Sequence, residues 1–239
     1  MSNLWVFGCS FSANFEYWTN QNGPNHFMKL KELRGGEMFP LWSELLAKEL
    51  NLNLIIKANG GASNSQIFEK ICDSCADFTS GDVVIIEWTF LERFRLGYVT
   101  TDFSGLMNIR AQDREGLEYW GEDVVDGIFY NRTKYPKAWA NEVYEWMKII
   151  DYLSTLVGFS VYYWSADDTI INSEDEEFRK QDKFILGLEC TKSMMTHLAL
   201  YGATTIHEET NGLIIDSHYG EKGNRVMFNK FYDYLRDRV

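Results

Sequence analysis

Cysteine is scarce in this chain, with 4 in 239 residues. That is too few for a disulfide scaffold at this length. Cys72-x-x-Cys75 is a single pair with no second pair at ligand spacing, so it is read as two small residues on a buried helix face rather than as a zinc site. His26, His197 and His207 stand in no metal-binding spacing with one another. Basic charge is also short: 23 Lys and Arg stand against 35 Asp and Glu, for a net charge of -12 and a pI near 4.8. Phosphate backbones are bound by clustered Lys and Arg, so nucleic acid is not an expected partner. No apolar run approaches the length of a membrane span, and no membrane partner is expected. No signal-peptide pattern precedes the strand residues that begin at Leu4, and no internal repeat or low-complexity tract is present. The expectation is a soluble protein of a reducing compartment, cytoplasmic or otherwise intracellular.

What the chain does have is apolar and aromatic material. Hydrophobic residues make up 45% and aromatic residues 15%, enough for one well-filled domain over 1–239 with an insertion. Leu4 to Phe7 reads as a short buried strand that runs directly into Gly8-Cys9-Ser10. Ala13 to Pro40 reads as a loop with a short helix at Phe27 to Leu33. Leu41 to Leu50 has apolar residues at helical spacing, and Leu52 to Ile56 is a short strand. Asn64 is a candidate cap for a helix with Ile67, Phe68 and Ile71 along one face.

The β-branched run Val83-Val84-Ile85-Ile86 implies a central parallel strand buried on both faces. From Phe90 to about Lys137 the pattern weakens, and glycines punctuate an insertion of loops and short pieces, a candidate lid. Ala138 to Val157 is a long helix stopped by Gly158, and Phe159 to Trp164 is the fourth strand. Ser165 to Glu177 is acidic and loop-like, Phe184 to Leu200 reads as a helix, and Leu213-Ile214-Ile215 is a last short apolar piece. Gly220 to Leu235 closes the chain as a helix. Helices alternating with strands in this order predict an α/β fold with a mostly parallel sheet.

Four short stretches fall at strand ends or in the loops that follow: Gly8-Cys9-Ser10-Phe11-Ser12, Asn59-Gly60-Gly61-Ala62-Ser63-Asn64, Glu87-Trp88-Thr89, and Asp216-Ser217-His218. A parallel sheet brings such ends to one side. Serine needs a base within hydrogen-bond reach to act as a nucleophile at neutral pH. Ser10 is the candidate nucleophile, His218 the candidate base, and Asp216 the acid that orients its ring. Backbone amides of Ser10 and Gly61 are candidate oxyanion donors, since glycine lets the main chain come close. Each residue also has a plainer reading. Ser10 serves equally as a turn residue, Asp216 as the N-cap of the last helix, His218 as a helix-start residue, and Cys9 as a small core residue.

Taken together the four stretches resemble the SGNH (GDSL-like) hydrolase family, whose blocks carry a nucleophilic serine, an oxyanion glycine, an oxyanion asparagine, and a histidine preceded by an aspartate. Gly8-Cys9-Ser10-Phe11-Ser12 is similar to the first block, with Cys9 where the family usually has aspartate. Asn59 to Asn64 resembles the second, with Gly61 at the oxyanion glycine, and Asp216-Ser217-His218-Tyr219-Gly220 resembles the last. The third block departs: Glu87-Trp88-Thr89-Phe90 stands where the family has Gly-x-Asn-Asp, leaving Thr89 or Arg93 as substitute donors. The gap from Asp216 to His218 is two residues where the family has three.

The resemblance implies a three-layer α/β/α sandwich of flavodoxin-like type with a mostly parallel central sheet. It implies a cofactor-independent esterase acting on small O-acyl esters, O-acetylated carbohydrate among them, with Trp88, Arg93 and Asn64 as candidate substrate contacts. The aromatic residues Phe15, Tyr17, Trp18, Tyr119 and Trp120 could stack on sugar rings or form local mini-cores. Two other readings stand beside the esterase: a binding module that kept the scaffold and weakened the reaction, and an O-acyltransferase with the insertion as its lid. The oligomeric state is not legible in the sequence.

Overall fold

The run of β-branched residues around Ile85 forms the middle of a parallel sheet. The computed structural model describes residues 2–14, 25–99, 104–109, 121–167, 170, 183–185, 198–199, 201–214 and 216–239. In chain order the elements are β1 (Asn3–Phe7), α1 (Asn25–Leu33), α2 (Trp42–Glu49), β2 (Asn53–Ile56), α3 (Asn64–Ser74), β3 (Val83–Trp88), β4 (Phe94–Val99), β5 (Ser104–Ile109), α4 (Glu122–Lys134), α5 (Pro136–Val157), β6 (Ser160–Ser165), α6 (Ile206–Glu209) and α7 (Glu221–Leu235). The strand order is β2-β1-β3-β6, and every neighbouring pair is parallel. The chain is thus an α/β protein, with seven helices among the described residues.

All six residues of β3 are buried, which requires cover on both faces. Strand alternation sorts the two cores. On one face Trp5, Phe7, Val84, Ile86, Trp88, Val161 and Tyr163 pack with Ile67 and Ile71 of α3 and with Val143, Met147 and Ile150 of α5. On the other, Leu4, Val6, Val83, Ile85, Tyr162 and Trp164 meet Trp42 and Leu46 of α2 and Met227, Phe231 and Leu235 of α7. Gly158 ends α5 at φ +89°, where its amide reaches the Ser154 carbonyl at 2.8 Å.

The predicted elements survive with shifts of a residue or two, and four expectations change. The expected loop insertion contains regular structure: β4 and β5 pair antiparallel, and α4 follows. Gly97 and Gly105 lie within those paired strands, so glycine there does not break the ladder. The predicted helix from Phe184 does not begin there. Phe184 instead bridges Tyr163 in parallel, with Tyr163 N–H to the Lys183 carbonyl and Ile185 N–H to the Tyr163 carbonyl, each at 2.8 Å. Most of that helix lies outside the described residues, as do Phe15, Tyr17, Trp18, Tyr119, Trp120 and Ile215. Cys72 is exposed and Cys75 half-buried, so the pair does not lie on a buried helix face, and Leu213 and Ile214 of the last apolar piece form a bend. Ser63, not Asn64, caps α3, its hydroxyl accepting from Gln66 N–H. Among the described residues no helix is long and apolar enough to cross a membrane.

At the opposite, amino-terminal end of the sheet, Asp82 is completely buried. It accepts from the Asn3 backbone and side chain, Trp5 Nε1 and Thr79 N–H at 2.8 to 3.1 Å. Burial pushes its pKa up, but these donors outweigh burial and hold the carboxyl below the usual aspartate range. Asp82→Asn keeps the shape and removes the charge, and is expected to cost about 2 kcal/mol at neutral pH. A depressed native pKa contributes stability in full above the unfolded value of about 3.9, and that stability is lost as pH falls through the native pKa. Urea unfolding of both proteins should therefore show a gap at pH 7 that narrows in acid. A gap that widens as pH falls overturns this assignment.

Candidate active site

Three loops leave the carboxyl ends of β1, β2 and β3, near the point where the strand order reverses direction and α/β folds open a crevice, and a fourth stands between α6 and α7. The first carries Ser10. Phe7 pairs with Ile86, so the next positions, Gly8 and Glu87, lie side by side. A Cβ on Gly8 would lie 2.6 Å from Glu87 Cβ and overlap a carboxylate oxygen. Gly8 is absent from the positive-φ residues, so it is required for this close approach and not for a turn. The chain then wraps around the carboxyl group. Cys9 N–H donates to Glu87 Oε2 at 3.0 Å, and the Cys9 thiol donates to Oε1 at 2.7 Å. Ser12 N–H closes the turn on the Cys9 carbonyl at 3.1 Å, and Ser10 Oγ lies 3.9 Å from Cys9 Sγ.

The second loop docks on the first through Asn59 N–H and the Gly8 carbonyl at 3.1 Å. Gly61 has φ +72°, a conformation that side chains disfavour. The amides of Ser10 and Gly61 make no hydrogen bond to other described residues. These are the two amides that the sequence reading names as candidate oxyanion donors.

The third loop corrects one expectation. Asn64 is no substrate contact: its side chain is buried and clamps the Thr89 backbone, accepting from Thr89 N–H at 2.7 Å and donating to the Thr89 carbonyl at 3.0 Å. The Thr89 amide is thereby consumed. The Thr89 side chain is fully buried, and its hydroxyl accepts from Arg93 Nη1 at 2.8 Å, which leaves its own hydrogen to donate. Trp88 is also fully buried and packs on Trp146 and Tyr163, as a packed aromatic rather than the candidate substrate contact. Arg93 is half-buried, with its guanidinium 4.9 Å from the centre of the Phe90 ring, and makes no ion pair among the described residues.

The fourth loop holds the acid and the base. Its backbone is stitched to the segment before and within α6: Ile206 N–H to the His218 carbonyl at 2.8 Å, His207 N–H to the Asp216 carbonyl at 3.0 Å, and Gly220 N–H to the Thr204 carbonyl at 3.0 Å. Asp216 does not cap the last helix. Glu209 does so from outside, accepting from Glu221 N–H at 2.7 Å and Lys222 N–H at 2.9 Å, and a Cβ on Gly220 would overlap that carboxylate. Asp216 Oδ1 instead turns back on His218, accepting from its backbone N–H at 2.7 Å and lying 2.6 Å from ring Nδ1. An aspartate that turns onto the amide two residues on also reaches that residue's ring, so the short spacing still yields a pair. The His218 side chain is 26% exposed, and its ring centre lies 4.9 Å from that of Phe11, the residue after Ser10.

Glu87 is the functional candidate that the motif reading left unassigned. Its signal is a carboxylate ending an otherwise apolar strand with no exposed residue. Burial pushes its pKa up, against the opposing pull of Cys9, Ser12 and the Arg93 charge. Burial, followed by Glu87, raises the Cys9 thiol to about 11 and also raises Tyr219, whose buried hydroxyl finds no partner among the described residues. Among the described residues no group of three or more His, Cys, Asp or Glu is disposed to hold a metal ion. Burial keeps the Cys9 thiol protonated and out of reach, so iodoacetamide at pH 8 should leave Cys9 untouched while modifying exposed Cys72. Peptide mapping of native protein checks this, and prompt alkylation of Cys9 would contradict it.

No model of a known protein family matches this chain, and no curated protein matches it either.

Proposed function

We propose that the chain is a serine ester hydrolase of SGNH type, a single three-layer α/β/α domain with its insertion near 90–137. The observation that carries the reading is the Asp216–His218 pair, 2.6 Å between Oδ1 and Nδ1, whose ring packs against the residue following Ser10. With the Nδ1 proton given to Asp216, Nε2 is left as the base. Ser10 Oγ attacks the ester carbonyl while Nε2 takes its proton. The tetrahedral oxyanion is met by the Ser10 and Gly61 amides, and the Arg93 guanidinium is the third donor in place of the family's asparagine. His218 returns the proton to the departing alcohol. Water then attacks the acyl group, His218 takes its proton and passes it to Ser10, and the free acid leaves. The steps use only these groups and water. The substrate is a small O-acyl ester, with an O-acetylated carbohydrate the class implied by the resemblance.

A second reading, a scaffold that binds such esters without turning them over, is favoured by one observation: the Thr89 amide, at the place of the family's asparagine block, is taken up by the Asn64 side chain. Hydrolysis of p-nitrophenyl acetate separates the two. Ser10→Ala and His218→Ala are each expected to lower kcat about 10³-fold or more. Arg93→Ala is expected to lower it about 10²- to 10³-fold, with KM little changed. Absence of turnover, together with failure of a fluorophosphonate to label Ser10, sinks the hydrolase and leaves the scaffold.

A further inference from the structure

We infer that Glu87 is the positioning residue of the nucleophile turn: its two carboxyl oxygens, held by the Cys9 amide and thiol, set the direction in which Ser10 presents its hydroxyl and its amide. The inference rests on the reading of Ser10 as nucleophile and goes beyond it. Four observations converge on one carboxyl group. The register sets Glu87 beside Gly8. Gly8 has no room for a side chain because the carboxyl occupies that space. Cys9 is gripped at both of its donors, one on each oxygen. The residue next along is Ser10, whose own amide is left unpaired among the described residues.

The geometry also explains why a cysteine stands where the resemblance leads one to expect aspartate. An aspartate would set a second carboxylate against Glu87 in a buried site, where like charges repel strongly. A thiol instead supplies a hydrogen to Oε1. Arg93, through Thr89 Oγ1, brings positive charge to the same cluster from the far side and opposes the desolvation of the acid. The carboxyl group is buried and touches the turn, not the substrate, so its action is indirect.

Glu87→Gln tests the assignment. It keeps the volume but turns one of the two acceptors into a donor, facing either the Cys9 amide or its thiol. Three measurements are made on wild type, Glu87→Gln and Glu87→Ala: the rate and end-point of fluorophosphonate labelling at Ser10, kcat and KM for p-nitrophenyl acetate, and thermal unfolding. The expected result for Glu87→Gln is cooperative unfolding and the same labelling end-point. Its labelling rate and kcat fall about 10- to 100-fold, and KM stays within about threefold. Glu87→Ala is slower again. An unchanged end-point at reduced rate separates misalignment from a mere loss of folded molecules. Labelling and kcat within about threefold of wild type in both variants overturn the inference while leaving Ser10 as the nucleophile. A Glu87→Gln protein that does not fold overturns it as well, since the carboxyl group would then hold the sheet and not the turn. Wild-type protein that neither labels nor hydrolyses brings down the Ser10 reading and this inference together.

Discussion

A carboxylic acid sealed between two strands is costly unless donors meet it, and Glu87 is sealed completely. That constraint organises the edge of the sheet from which the site is built. Gly8 is glycine because the acid fills its side-chain space, and Cys9 is folded over the acid because its amide and thiol are the donors at hand. The Gly8 carbonyl in turn anchors the second loop through Asn59, and Gly61 takes its positive φ within that loop. The first two loops of the candidate site are thus fixed with reference to one buried group on β3.

The fourth loop solves the same problem by different means. Its histidine and aspartate stand between α6 and α7, and the N-cap residue of α7, Gly220, supplies no side-chain cap of its own. Glu209 caps α7 from across the gap, and Asn224 accepts from Trp42 N–H while donating to the Tyr219 and Gly220 carbonyls. The last helix, the loop and α2 are therefore tied by polar contacts inside an apolar core that Trp42 and Phe231 share, with ring centres 4.6 Å apart. Buried polar atoms that are paired in this way specify one arrangement, because slipping by a residue would strand them without partners.

The helical part of the insertion is joined to the site as well. Arg132 of α4 donates to the Leu91 carbonyl at 2.7 Å and lies 3.9 Å from the Trp139 ring, while Leu91 N–H reaches Asp167 after β6. The loop that carries Arg93 is therefore pinned from both sides. This gives physical substance to an insertion that composition alone describes as loops.

Much of the architecture was legible from apolar periodicity. The run of Val83 to Ile86 can be satisfied only by burial on both faces, and the helical spacing around Trp42, Val143 and Phe231 supplies the cover. Ser10 and Gly61 were legible as candidates because they follow β1 and β2, whereas Asp216 and His218 stand between α6 and α7 and were picked out by residue type and order alone. The partners were not. Pairing of β4 with β5 is a cross-strand hydrogen-bond match that glycine-rich composition conceals. Asn64 reads as a helix cap until Thr89 comes within 2.7 Å of it, and Trp88 reads as a candidate platform until two aromatic neighbours enclose it. Local chemistry and spacing depend on neighbours along the chain, and these were enough to name elements and reactive groups. Which donor meets which acceptor depends on strand register and on segments far apart in number. Only the folded chain could decide that Glu87 belongs to Gly8 and Cys9, and Glu209 to the start of α7.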